Sequence, residues 1–219
     1  MNPLAVLGLG LLLGLRHAAD PDHVVAVTTI AARTRRVLPA TLLGLAWGLG
    51  HTLTLLAVAG AIIAFNWVVP PRLGLAMEFA VALALIGIGL LNLRHAPHPR
   101  AELEQSPGRP PAGRAFLVGI VHGLAGSAAV ALLVVATVRD PVLAGGYLLL
   151  FSLGTLVGMA LITTGFAVPV VTAAERWRGA GRVIRTSTGT LSLVFGAWLV
   201  FQIGWVDGLF RAAVHWAPK

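Results

Sequence analysis

The run Arg16-His17-Ala18-Ala19-Asp20-Pro21-Asp22-His23 sets two histidines, two aspartates and an arginine between apolar flanks. Pro3 to Leu15 before it carries no charge, and Val24-Val25-Ala26-Val27 after it is apolar again. Ionisable groups at such a depth in a membrane-length apolar stretch are costly and mark a pathway or a site. His and Asp are ligands for divalent cations, the imidazole suiting nickel, cobalt, copper or zinc. The chemistry expected here is the binding of a metal ion by His17, Asp22 and His23. On an unbroken helix, at about 100° per residue, Asp22 and His23 point about 140° and 240° away from His17. One ion can reach all three only if the turn is opened. Pro21, whose ring denies a hydrogen bond to the carbonyl of His17, supplies that break and is expected to free carbonyls that face the ion. Asp20 is expected to tune the field of the site, and Arg16 to offset the two carboxylates when no ion is bound.

Further polar residues are set in apolar surroundings. His51, in Trp47-Gly48-Leu49-Gly50-His51-Thr52, follows glycines that permit close helix approach, which would bring it beside the first site. His122, in Val121-His122-Gly123-Leu124-Ala125-Gly126-Ser127, is the next candidate ligand. Glu78 is expected at the outer interface of its span. His95 and His98 are expected to be solvated in a loop, and Asn92 and Gln202 to make packing hydrogen bonds.

These residues need helices to hold them in lipid. The chain of 219 residues is 57% hydrophobic and 11% charged, against about 25% charged in soluble domains, and its mean hydropathy is +0.87. Apolar runs longer than a barrel strand make it an all-α polytopic membrane bundle, because only helices or closed barrels satisfy their backbone in lipid. Six transmembrane helices are drawn, at 3–32, 37–64, 73–93, 114–138, 142–171 and 186–206. Pro169 is expected to end or kink the fifth. Pro70-Pro71 and the segment from Ala96 to Gly113 are read as loops. No cysteine is present, which excludes disulfides and thiolate metal sites. The net charge of +8 is carried by short loops and points to lipid headgroups rather than to nucleic acid. The N-terminal run lacks the basic start of a signal peptide and is retained as a span.

Charge also sets the orientation. Eleven arginines (33, 35, 36, 94, 100, 109, 114, 176, 178, 182 and 185) alternate with loops holding Arg72, Arg139, Arg211 and Lys219. The positive-inside rule places the eleven in the cytoplasm and both termini outside. The whole of 1–219 is then a single membrane domain: a three-helix half at 3–93, a cytoplasmic loop at 94–113 and a second half at 114–206. An internal repeat is visible. Gly14-Leu15-Arg16-His17 resembles Gly119-Ile120-Val121-His122 at an offset of 105 residues, and Leu49-Gly50-His51 resembles Leu153-Gly154-Thr155 at 104. Two inverted three-helix repeats, with an interrupted helix near the midplane, are a recurrent transporter plan.

The run Arg16-His17-Ala18-Ala19-Asp20-Pro21-Asp22-His23-Val24 resembles the first signature of the nickel/cobalt permease family, and Leu49-Gly50-His51-Thr52 resembles its second. The resemblance implies uptake of Ni2+ or Co2+ across the bacterial cytoplasmic (inner) membrane, supplying enzymes such as urease or hydrogenase. It implies metal-site roles for His17, Asp22, His23 and His51, a transported ion rather than a permanently bound cofactor, and no enzymatic activity. The second half departs from the main branch: Val118-Gly119-Ile120-Val121-His122-Gly123-Leu124-Ala125 lacks acidic residues, and Gly158-Met159-Ala160 lacks an aspartate. With six spans rather than eight, the chain is closest to a shorter, UreH-like branch. The choice of metal, the direction of transport and the oligomeric state stay open. An exporter is the first alternative. A membrane acyltransferase pairing His17 with Asp22 is the second; the basic phosphate-binding motifs it needs are missing.

Overall fold

A computed structural model describes residues 2–32, 34, 36–65, 69–94, 112–138, 140–177 and 179–216, with the backbone alone over 126–137. Among them every regular element is helical: α1 (Pro3–His17), α2 (Pro21–Ala31), α3 (Val37–Phe65), α4 (Pro71–Arg94), α5 (Ala112–Thr137), α6 (Pro141–Arg176) and α7 (Ala180–Phe201), the last running into a π-helical turn (Gln202–Val206). The helices α3, α4 and α6, and α7 with its π turn, are long and apolar enough to cross a membrane. The pair α1 and α2 makes a fifth crossing if counted as one broken span, bent by 54°. The described side chains of α5, Ala112–Ala125, form a shorter apolar helix. Most of the 94–113 loop, with His95 and His98, lies outside the described residues.

Prolines start helices here more than they end them. Pro3, Pro21 and Pro141 each stand in the first turn of a helix, where the missing N–H has no intrahelical partner to lose. Asn2 and Asp140 cap their helices, accepting from Leu4 N–H and Val142 N–H at 3.0 Å. Asp20 holds the same position before α2 but makes no side-chain cap. Pro71 opens α4 rather than lying in a loop, and α6 continues through Pro169 to Arg176, so the expected stop at that proline is not there.

Helices come together through glycines, since lipid-embedded association depends on packing rather than on hydrophobic burial. A Cβ on Gly14 of α1 would strike the backbone of Phe151 on α6, and one on Gly154 of α6 the backbone of Leu11 on α1. Across α3 and α5, a Cβ on Gly119 would strike the backbone of Trp47, and one on Gly50 that of Phe116. Gly89 and Gly196 do the same between α4 and α7.

Polar side chains tie the bundle at two further places. Asn92 Nδ2–H donates to the Thr29 carbonyl at 3.0 Å, and the Ser192 hydroxyl to the Leu85 carbonyl at 2.8 Å. The C-terminal segment folds back on α4, where Trp216 Nε1–H donates to Glu78 at 2.9 Å. Glu78 is thus a tether for that segment. Gln202 Nε2–H donates to Asp207 at 3.2 Å.

Candidate metal centre

The break between α1 and α2 is where the proline predicted it, but its chemistry differs from expectation. α1 ends at His17, residues 18–20 form a turn, and α2 restarts at Pro21. The His17 carbonyl is not freed: Asp20 N–H donates to it at 3.0 Å. What the break provides is direction. His17 ends one helix and His23 sits in the first turn of the next, so their rings meet with centroids 4.8 Å apart.

His51 comes from the middle of α3 and His122 from α5. Their ring centroids lie 5.0 Å and 4.4 Å from that of His23. His17 and His51 are 5.3 Å apart, and His51 and His122 5.9 Å. Trp47 walls the cluster, stacked on His23 and edge-on to His122. His23, His51 and His122 are buried, at 1%, 0% and 3% exposure, and His17 is mostly covered. Four imidazoles from four helices therefore share one enclosed space in the protein.

Two carboxylates decide which nitrogen each ring offers. A carboxylate only accepts, so His17 Nδ1–H donates to Asp20 Oδ2 at 2.8 Å. The same logic makes His23 Nδ1–H the donor to Asp22 Oδ1 at 3.2 Å. Asp22 Oδ1 also accepts the backbone N–H of His23 at 2.9 Å, which fixes the carboxylate. In both rings Nε2 is left with its lone pair, buried and without a hydrogen-bond partner. Carboxylates that orient a histidine in this way are the usual outer partners of a metal-bound imidazole. Asp20 leaves its helix uncapped to do this, forgoing about 1 kcal/mol of capping stability. His51 is more telling. Both its nitrogens are buried and unpartnered, although leaving one buried donor unsatisfied costs about 1–3 kcal/mol.

Two sets of groups bring ligand atoms within 4.8 Å of one another: His17, His23 and His51, and Asp22, His23 and His122. Asp22 Oδ2 is 3.0 Å from His122 Nε2, off the line of a hydrogen bond. The sequence candidates His17, Asp20, Asp22, His23, His51 and His122 are thus all at one place. Arg16 is not among them. It is exposed and pairs with neither aspartate, whose partners are the histidines. An acyltransferase pairing is also absent, because the carboxylate on His17 is that of Asp20, not Asp22. Trp47 was not foreseen as part of the site; its position four residues before His51, one helical turn away, is the one signal in the sequence from which it could be read.

Two known proteins or families resemble the chain in sequence. The family model for NicO, the high-affinity nickel-transport protein, matches residues 4–97, which include the α1–α2 break and His51. The urease accessory protein UreH of Bacillus sp. (strain TB-90) is 35% identical over 219 residues, covering 95% of this chain and 96% of the relative. No solved structure matches the chain. With its broken first helix, its His/Asp cluster and this near full-length similarity, the chain belongs to the nickel-transport family, among its UreH-like members, and is a multi-pass membrane protein of a transporter family rather than an enzyme.

Proposed function

We propose that the protein carries Ni2+, and also Co2+, inward across a bacterial cytoplasmic membrane, binding the ion between His17, His23 and His51. One observation carries this reading: three imidazoles from three helices converge in a covered site with lone pairs that no protein donor satisfies. Nitrogen ligands without sulfur suit Ni2+ and Co2+ over Cu(I). Asp20 and Asp22 hold two of the rings by Nδ1, and Asp22 and His122 extend the donor set on the far side of His23. A relative named as a urease accessory protein supports delivery of the ion to a nickel enzyme.

The bundle that moves the ion is a single membrane domain of six spans in two inverted halves, 3–93 and 114–206, joined by a cytoplasmic 94–113 loop, with both termini outside. The glycine contacts support the repeat. Gly14 against Phe151 and Gly119 against Trp47 are one contact at offsets of 105 and 104 residues. Leu11 against Gly154 and Phe116 against Gly50 are another at the same two offsets. His17 and His122 then occupy equivalent places in the two halves. The test is radioactive nickel and cobalt accumulation in a host lacking its own transporter. Accumulation no higher than with an empty vector overturns the proposal.

A further inference from the structure

The two donor sets are not one shell. His23 is in both, and its ring touches those of His17, His51 and His122. His17 and His122 make no ring contact with each other, standing on either side of His23. The sets also differ in character. The first is three imidazoles, neutral as a set when it binds metal; the second adds the carboxylate of Asp22 to two imidazoles. Donors bound to one ion by bonds of about 2.0–2.1 Å lie at most about 4.2 Å apart, and the two sets do not merge into one group even within 4.8 Å, so a single ion cannot bind all these donors as they stand. Two adjacent positions, each with its own pair of unshared donors, can be filled in turn.

We propose that the centre holds two overlapping coordination positions, His17–His23–His51 and Asp22–His23–His122, and that a single ion passes between them by exchanging its partners around His23. This rests on the reading of the chain as a nickel carrier. A shared ligand keeps the ion bonded while the others change, so the step never leaves a bare cation in a low-dielectric site, where its cost would be largest. The shared ligand also makes occupancy exclusive: one ion occupies the pair at a time. Moreover, only the second position reaches into the second half of the chain. The first takes His17, His23 and His51 from α1, α2 and α3, and the second enlists α5 through His122. A relative movement of the halves that opens one set and closes the other would be felt at His23. His122 is therefore a transport ligand with little part in the first binding step.

The experiment uses the purified full-length chain with Ni2+, reading equilibrium binding on the detergent-solubilised protein and ion entry into proteoliposomes. The wild type should bind one Ni2+ per chain and transport it. His122→Ala should keep saturable binding within about tenfold of the wild type, while transport falls to the level of empty vesicles. His51→Ala should likewise bind, at the second position, and fail to transport. His23→Ala should lose both. His122→Gln, which keeps a polar side chain of similar length, repeats the first result if folding is the concern, and size-exclusion profiles compare the variants. Loss of binding in both His122 variants to the extent seen in His23→Ala overturns the proposal in favour of one joint site. Normal transport by His122→Ala, or two ions per wild-type chain, overturns it as well. A wild type that binds no Ni2+ removes the nickel-carrier reading itself, and this proposal with it.

Discussion

Replacing Gly14 by alanine tests whether helix spacing sets the geometry of the metal centre. Gly14 is buried against α6, and an ideal Cβ there would lie 2.8 Å from the Phe151 carbonyl carbon and 3.0 Å from its Cα, with the carbonyl oxygen closer still. Backbone cannot swing away as a side chain can. Restoring a carbon–carbon spacing of about 3.5 Å requires α1 and α6 to part by at least about 0.7 Å, and clearing the closer oxygen requires more. Overpacking of this kind costs about 1–3 kcal/mol, and the better helix propensity of alanine returns about 1 kcal/mol. Net destabilisation is therefore modest. The larger effect is positional: His17 lies one turn beyond Gly14 and its ring packs against Phe151 with centroids 5.4 Å apart. Displacements of about 1 Å at a reacting centre cost roughly a hundredfold, so nickel accumulation by Gly14→Ala should fall by about ten- to a hundredfold. Gly8 lies on the same helix with nothing within 4 Å of its Cβ position, and Gly8→Ala should be indistinguishable from wild type. The assay is radioactive nickel accumulation in a transporter-deficient host, divided by the amount of protein in the membrane. A well-expressed Gly14→Ala protein with normal accumulation would refute the claim that this contact places His17.

Asp20→Ala should weaken apparent nickel affinity by about 10–100-fold without abolishing transport, because it frees the His17 ring rather than removing a ligand; affinity measured by concentration-dependent uptake decides this. His51→Ala should abolish accumulation, whereas His95→Ala and His98→Ala should leave it unchanged, checked in the same host with membrane levels measured alongside. Protons compete with metal for imidazole nitrogen, so apparent affinity should weaken as pH falls from about 7.5 to 5.5, the range in which histidine charge ordinarily changes; a flat profile in vesicles of fixed internal pH counts against histidine ligands that titrate in that range. A reporter active only in the cytoplasm should be active when fused at Pro107 and silent at Lys219, and the reverse pattern would invert the orientation.

The helical membrane class and the cluster of polar residues were legible because membrane proteins expose their exceptions: against a background so apolar, His17, Asp20, Asp22, His23, His51 and His122 stand out by cost alone. Pro21 announced the break in the same local way, since a missing N–H acts on its own turn. What the break does was not local. Whether the His17 carbonyl stays free depends on Asp20 N–H reaching back to it. Likewise, the role of Arg16 was decided by its exposure, which leaves the two carboxylates partnered by histidine rings instead. Pro71 marks a helix start, where its missing N–H costs nothing, and Pro169 a helix interior, where length and packing of the whole helix outweigh one residue's preference. Above all, the composition of helices that are apolar on every side carries no period to say which face turns inward. Tertiary packing decided that. Gly50, Gly119 and Gly123 let α3 and α5 approach until backbone nearly meets backbone, and this close approach sets His122 beside Asp22 and His23 from about a hundred residues away. The candidate ligand types belong to the sequence; the sharing of His23 between two groups of donors belongs to the fold.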